Sequence, residues 1–207
     1  METLGVMRPH WFASPRQQEV QLQLINRFLQ TLSGSSSNGV GTSSTSSRVT
    51  FESELRYTSD PHDVAAVLRW GLRHLQLDGN SFGSSTSTDW YRSFADSERS
   101  ESYPLKAFDD ILVPLLPVSH TQLLRATLDL VSSLAAHSEE NGISGNKLSK
   151  VLGWWILSSR NVQALGWREF YTQWEAAARQ FEHIFLAYIR YASFFVVTPG
   201  RIFSLSL

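Results

Sequence analysis

Residues 167–191 read WREFYTQWEAAARQFEHIFLAYIRY, the longest amphipathic stretch of the chain. Its apolar side chains recur every three or four residues, which is the period of one face of an α-helix. They are Phe170, Trp174, Ala177, Ala178, Phe181, Phe185 and Tyr188. We therefore expect one long helix whose apolar face lies in the core.

Six shorter helices are predicted N-terminal to this stretch. They have apolar residues at the same period or carry helix start signals such as Asp60-Pro61, a capping residue followed by a first-turn proline. They cover residues 15–31, 60–75, 89–99, 107–116, 120–137 and 145–158. No segment alternates apolar and polar residues as a strand does. The pattern predicts an all-α fold of about seven helices.

Two serine-rich segments interrupt the helical pattern. Residues 33–48 and 78–88 contain little apolar sequence and are typical of surface loops or linkers. We expect a single domain over residues 1–192 that includes both loops. Residues 193–207 are apolar and nearly uncharged, which sets them apart as an atypical tail.

Composition excludes several classes of function. The 207 residues include 18 Lys and Arg against 19 Asp and Glu, a net charge of −1, whereas nucleic-acid binding favours a basic surplus. The absence of cysteine excludes disulfides, thiol catalysis and cysteine-ligated metal sites. The six histidines lack metal-ligand spacing, and no phosphate loop or hydrolase motif occurs. We expect no cofactor, no metal and no catalytic motif.

The longest apolar stretch, near residues 194–197, is far too short to span a membrane. The N-terminus lacks the charged and then apolar pattern of a secretory signal. We therefore expect a cytoplasmic protein without a membrane span.

Arg69 and Arg73 stand four residues apart on the helix that follows Asp60-Pro61. Their side chains therefore share a face at the edge of the apolar side. Two guanidinium groups so placed can hold a carboxylate or a phosphate-bearing partner. They can equally pair with acidic residues of their own surface, and both alternatives stay open.

Three stretches of the chain resemble Rho GTPase-activating-protein (RhoGAP) domains. Residues 135–157, AAHSEENGISGNKLSKVLGWWIL, are similar to the family's signature helix pair, and residues 62–75, HDVAAVLRWGLRHL, to its preceding motif helix. Residues 5–8, GVMR, resemble the loop that carries the family's arginine finger. The strings MRPHWF, WYRSFADSERSESYP and FYTQWEAAARQFEHIFLAYIR resemble one branch, the RhoGAP-like domains of fungal morphogenesis proteins linked to bud emergence and polarised growth.

The resemblance implies a RhoGAP-like helical bundle and a set of site residues. It makes Arg8 the candidate arginine finger, and Arg69, Arg73 and Lys147 candidate contacts to a Rho-family small GTPase. The family's LPEPL string after the second motif is replaced by QLDG at residues 76–79. Only seven residues precede Arg8, so the helix that braces the finger loop in the family is lacking and a truncated member is expected.

Three functions follow from the resemblance. The leading hypothesis is a module that binds a Rho-family GTPase or a polarity partner in fungal morphogenesis without efficient activation, because a finger works only when its loop is held in place. The first alternative is an active GTPase activator that uses Arg8. The second is a scaffold for polarity or cytoskeletal proteins that binds no GTPase. Recruitment to the cell cortex at sites of polarised growth would accompany any of the three.

Tryptophans offer a candidate surface for the scaffold alternative. Trp154, Trp155, Trp167 and Trp174 cluster in the last third of the sequence. Because Trp155 and Trp174 continue apolar helical stripes, we expect core positions for these rings rather than an exposed face.

Overall fold

The computed structural model describes residues 18–33, 43–58, 60–74, 82, 90–157 and 166–197, and every regular element among them is helical. The all-α prediction is thereby confirmed for these residues. The helices are α1 (Gln18–Ser33), α2 (Ser43–Tyr57), α3 (Pro61–His74), α4 (Trp90–Ser100), α5 (Val118–Ala136), α6 (Ser138–Asn141), α7 (Gly145–Leu157) and α8 (Trp167–Val197). A π-helical turn, Phe108–Leu112, and a 3-10 turn, Val113–Leu115, connect α4 to α5.

Three segments differ most from the sequence prediction. Helix α2 is not among the predicted helices and begins at Ser43, inside the predicted loop 33–48, because serines suit the start of a helix even though they carry no apolar pattern. Helix α8 continues to Val197, into the predicted tail, since no helix-breaking residue occurs before Pro199. The segment predicted as a helix at 107–116 forms the π and 3-10 turns, where Pro114 lacks the N–H that an α-helix needs.

The protein divides into two compact units. Unit one comprises residues 1–74 and 134–144, and unit two comprises residues 75–133 and 145–207. The single domain expected over residues 1–192 stays a prediction.

Aliphatic and aromatic side chains of α1, α2 and α3 form the inner surface of unit one. Leu24 of α1 is buried, and the Phe28 ring lies 5.5 Å from that of Phe51 in α2 and 6.4 Å from that of Trp70 in α3. Leu22 and Leu29 of the same helix are exposed, so α1 buries only a narrow face.

The close packing of α7 against α8 dominates unit two. A Cβ atom at Gly153 would lie 2.7 Å from the backbone oxygen of Ala177 and 3.0 Å from the Cβ of Phe181. Real Cβ atoms do not approach backbone this closely, so glycine is what lets the two helices meet. Leu148, Leu152 and Phe181 are fully buried at this contact face.

The four tryptophans of the last third differ in exposure. Trp154 is buried and packs edge to face on Phe170, with ring centroids 5.0 Å apart. Trp155 and Trp174 are half-buried, whereas Trp167 is 80% exposed at the start of α8. The core prediction is therefore wrong for Trp167.

Helix α8 is 31 residues long, which is enough to cross a bilayer by length alone. Within the described residues, neither α8 nor any other helix is both long enough and apolar enough to cross a membrane.

Candidate functional site

The sequence around Asp60 sets the position and start of α3. The Asp60 carboxylate accepts a hydrogen bond of 2.9 Å from the backbone N–H of His62, and Pro61 occupies the first turn. Asp63, which is buried, accepts a hydrogen bond of 3.4 Å from the Gln21 side chain of α1. The hydrogen bond from Gln21 ties the N-terminal end of α3 to α1.

The last two turns of α3 carry Arg69, Trp70, Arg73 and His74, which we call the α3 arginine surface. Arg69 is half-buried and Arg73 is exposed. Because they stand four residues apart, both guanidinium groups lie along one side of the helix. Positive charge in the last turn also suits the partial negative charge of a helix C-terminus.

Two aromatic rings are held in place beside these arginines. The His74 ring stacks on the Trp70 indole, with centroids 4.6 Å apart and planes 24° apart. The Nδ1–H of His74 donates to the Trp70 carbonyl oxygen over 2.8 Å, which fixes the ring orientation. The Trp70 indole also lies nearly perpendicular to the Phe28 ring, with an angle of 86° between the planes. The α3 arginine surface is thus backed by a preorganised aromatic pair.

The remaining predicted site residues lie elsewhere. Lys147 is exposed in the first turn of α7 and belongs to unit two, whereas the α3 arginine surface belongs to unit one. Arg8 lies outside the described residues. Arg69 and Arg73 are the predicted site residues that share one element, and a functional role for any of the four stays a prediction.

The HSEEN string at residues 137–141 comprises His137 and the short helix α6. Asn141 is fully buried: its Nδ2 donates to the Leu134 carbonyl over 2.8 Å, and its Oδ1 accepts the Ile143 N–H over 2.7 Å. Gly142 follows with a φ of 68°, a left-handed conformation that favours glycine. Glu139 and Glu140 are exposed. The local backbone geometry explains the asparagine and the glycine without a binding role.

A buried charge cluster in unit two has no signature in the local sequence. Glu98 of α4 is fully buried and forms an ion pair with Arg190 of α8. The Nε2–H of His183 donates to the same carboxylate over 2.5 Å. In the neutral imidazole, Nδ1 then accepts the Tyr91 hydroxyl proton over 3.0 Å. We call Tyr91, Glu98, His183 and Arg190 the Glu98 cluster.

The order hydroxyl, imidazole, carboxylate is also that of a nucleophilic relay. Burial and, secondarily, the negative charge of Glu98 raise the pKa of the Tyr91 hydroxyl, while Arg99 opposes the shift. A raised pKa keeps the hydroxyl protonated at neutral pH. The Glu98 cluster joins α4 to α8 through an ion pair and hydrogen bonds.

A second polar cluster joins the π-helical turn to α5 and α8. Arg125 forms an ion pair with Asp109, and its guanidinium lies 5.1 Å from the centroid of the Phe108 ring. Tyr188 donates a hydrogen bond to Asp129. Burial and the hydrogen bond to Asp129 raise the pKa of Tyr188, and burial together with Asp109 raises that of Tyr191.

These raised tyrosine pKa values predict a loss of stability in alkali. A group whose pKa is higher in the folded protein stabilises it fully below the unfolded pKa, here about 10, and this contribution disappears as the pH rises above that value. Spectroscopic titration should therefore detect phenolate from Tyr91, Tyr188 and Tyr191 at higher pH in the folded protein than in guanidinium chloride. Superimposable tyrosine titration curves of the folded and the unfolded protein would contradict this.

Acidic and histidine side chains do not form a metal-binding group among the described residues. In that part of the protein, no three or more histidine, aspartate or glutamate side chains gather closely enough to hold a metal ion.

Comparison with protein families corrects the assignment made from the sequence. Residues 5–194, nearly the whole sequence, match the family model of the meiotically up-regulated protein Msb1/Mug8 domain. The identification as a RhoGAP-like domain is therefore wrong. That identification rested on the HSEEN string. Local hydrogen bonds and backbone geometry account for Asn141 and the glycine after it, so the presence of this string in two proteins is weak support for membership of one family. None of the curated proteins compared with this sequence matches it. The chain belongs to the Msb1/Mug8 domain family.

Proposed function

We propose that this domain is a protein-binding module of fungal morphogenesis that takes an acidic partner on the α3 arginine surface. A Rho-family small GTPase is the first partner to test, and another polarity or cytoskeletal protein is the second. The observation that supports the proposal is the pairing of Arg69 and Arg73 beside the fixed Trp70–His74 stack.

The chemistry of these side chains suits protein recognition. Arginine and tryptophan are enriched among residues that dominate binding energy, and a guanidinium group can bind a carboxylate through two parallel hydrogen bonds. The Cα atoms of Arg69 and Arg73 are separated by about 6 Å along α3, one helical turn. Two carboxylates with similar spacing on a partner would therefore engage both arginines together.

The setting proposed for this binding is the cytoplasm, with recruitment to the cell cortex at sites of polarised growth. A partner at the cortex would supply that recruitment through the α3 arginine surface. The proposal requires no catalytic group of the domain.

Charge reversal on α3 tests the proposed surface. The Arg69→Glu, Arg73→Glu double variant should weaken binding of a Rho-family GTPase at least about tenfold, or about 1.4 kcal/mol, because it replaces attraction to acidic groups by repulsion. Calorimetric titration with the GDP-loaded and GTP-analogue-loaded GTPase measures the change, and circular dichroism checks the fold.

The matched control is the Arg92→Glu, Arg168→Glu double variant, which changes the charge equally at two exposed arginines of unit two. It should bind like the parent protein. Equal weakening in both variants would reject α3 as the binding surface. Failure of the parent protein to bind any GTPase of a Rho-family panel would reject the GTPase as partner.

Active GTPase activation by Arg8 is the alternative enzymatic function. Single-turnover GTP hydrolysis separates it from binding alone, and we expect the domain to leave the rate unchanged. Acceleration that Arg8→Ala abolishes would establish the activator instead, since a finger arginine contributes about 10³ to 10⁵ in rate.

The exposure of Trp167 favours the scaffold function as a second candidate. Trp167 and Tyr171 lie one turn apart on α8 and are 80% and 52% exposed. If a polarity protein binds there, Trp167→Ala with Tyr171→Ala should abolish its capture while the Arg69→Glu, Arg73→Glu variant retains it.

A further inference from the structure

Asn141 and Gly142 form an asparagine–glycine pair at the end of α6. Glycine lacks a Cβ, so its backbone nitrogen can approach the preceding side chain more readily than that of any other residue. In an unfolded segment this nitrogen attacks the asparagine Cγ. A bond forms between Cγ and the backbone nitrogen of the glycine, and the bond between Cγ and Nδ2 of the asparagine breaks. Nδ2 leaves as ammonia and takes the proton of the attacking nitrogen. Water then opens the cyclic imide at either carbonyl to give aspartate or isoaspartate.

The folded turn engages each group that this reaction needs. The Gly142 N–H, the attacking group, donates to the Ser138 carbonyl over 3.0 Å. The Asn141 Nδ2, which would leave as ammonia, donates to the Leu134 carbonyl over 2.8 Å, and Oδ1 accepts from Ile143 over 2.7 Å. The side chain of Asn141 is fully buried, which also keeps out the water required for the second step.

The product would not fit the turn from which it came. An aspartate at position 141 has no N–H for the Leu134 carbonyl and would set its own oxygens against that acceptor. It would also bury a negative charge at a fully buried position. Isoaspartate would add a methylene group to the backbone between α6 and Ile143. The longer backbone would displace the Ile143 N–H, which now donates a hydrogen bond to Oδ1 of residue 141.

We propose that Asn141-Gly142 is a conformationally gated deamidation site. The closed turn suppresses the reaction, opening of residues 134–143 releases it, and the product prevents the turn from closing again. An opening of residues 134–143 that lasts long enough for deamidation therefore leaves a permanent covalent change. The inference rests on the geometry of this turn and is independent of the proposed partner and of the α3 arginine surface.

Peptide mapping of the intact protein tests the gate. Trypsin cleaves after Arg125 and Lys147, so one peptide carries Asn141, and mass spectrometry detects the exchange of its amide for an acid. At one pH and temperature, deamidation should be at least about tenfold faster in guanidinium chloride than in native buffer, since the reaction requires opening. Equal rates in the two conditions would overturn the proposal.

A second asparagine–glycine pair, Asn38-Gly39, supplies an internal reference in denaturant. There, Gly142→Ala should slow the reaction at Asn141 several-fold and leave the rate at Asn38 unchanged. An unchanged rate at Asn141 would exclude attack by the nitrogen of residue 142 and overturn the mechanism.

A refolding experiment tests whether deamidation at position 141 prevents the turn from closing again. After partial reaction in denaturant and dilution into native buffer, limited proteolysis should digest molecules that are deamidated at position 141 before intact molecules. The Asn141→Asp variant should show the same sensitivity, whereas the parent protein should resist. Equal resistance of deamidated and intact molecules would show that the product still closes the turn, and would overturn the proposed irreversibility.

Discussion

Glu98→Ala is expected to lower the free energy of unfolding by about 3–5 kcal/mol, the usual range for breaking a buried ion pair by removal of one partner. The Glu98 carboxylate is fully buried and accepts hydrogen bonds from both Arg190 and His183. Its loss leaves the partly buried guanidinium of Arg190 without the negative charge that compensates it. Equilibrium unfolding in guanidinium chloride, monitored by circular dichroism, measures the change.

Two further variants separate the buried charge from a general effect of losing an acid. Asp96→Ala removes an exposed carboxylate of α4 that lies 3.8 Å from Arg99, and we expect a change of no more than about 1 kcal/mol. Glu98→Met combined with Arg190→Met removes both charges and should recover much of the lost stability. A Glu98→Ala variant as stable as Asp96→Ala would contradict the role assigned to the Glu98 cluster.

Gly153→Ala is expected to destabilise the protein by about 2–3 kcal/mol, in the range found for overpacked cores. The added Cβ would meet the Ala177 carbonyl oxygen at 2.7 Å and the Phe181 Cβ at 3.0 Å. Neither is the movable end of a flexible side chain, so α7 has to shift away from α8. This loss exceeds the gain of about 1 kcal/mol that alanine normally brings to a helix interior.

Gly71→Ala is the matched control, because Gly71 also lies inside a helix but has no atom within 4 Å of a built Cβ. This substitution should raise stability by about 0.5–1 kcal/mol. The two glycines therefore predict changes of opposite sign in the same denaturation experiment. A stabilising effect of Gly153→Ala would contradict the close packing of α7 on α8.

Helix periodicity predicted most of the architecture but not all of its boundaries. The stripe from Phe170 to Tyr188 identified α8 because long amphipathic segments bury one continuous face. Helix α2 was missed because its serine-rich start resembles a loop, and its contact through Phe51 to Phe28 joins residues distant in sequence. Such contacts override local composition and are invisible to a pattern that reads neighbouring residues.

The candidate site was predictable only where it depends on local spacing. Arg69 and Arg73 share a face because one helix carries both, and helical spacing is readable from sequence. The Glu98 cluster joins Glu98 to His183 and Arg190, which are 85 and 92 residues away, so no local pattern connects them. The resemblance at residues 137–141 led to the wrong family because residue types that end a helix, such as glycine, occur in proteins of unrelated families.

The long separation within the Glu98 cluster bears on synthesis of the protein. At about 5–20 residues per second, a ribosome adds Arg190 roughly 5–18 seconds after Glu98. During that interval His183 and Arg190 have not yet been added to the chain, so water has to solvate the Glu98 carboxylate. We therefore expect the Glu98 carboxylate to be buried only after α8 has emerged, so that the closing step in the folding of unit two follows the translation of α8.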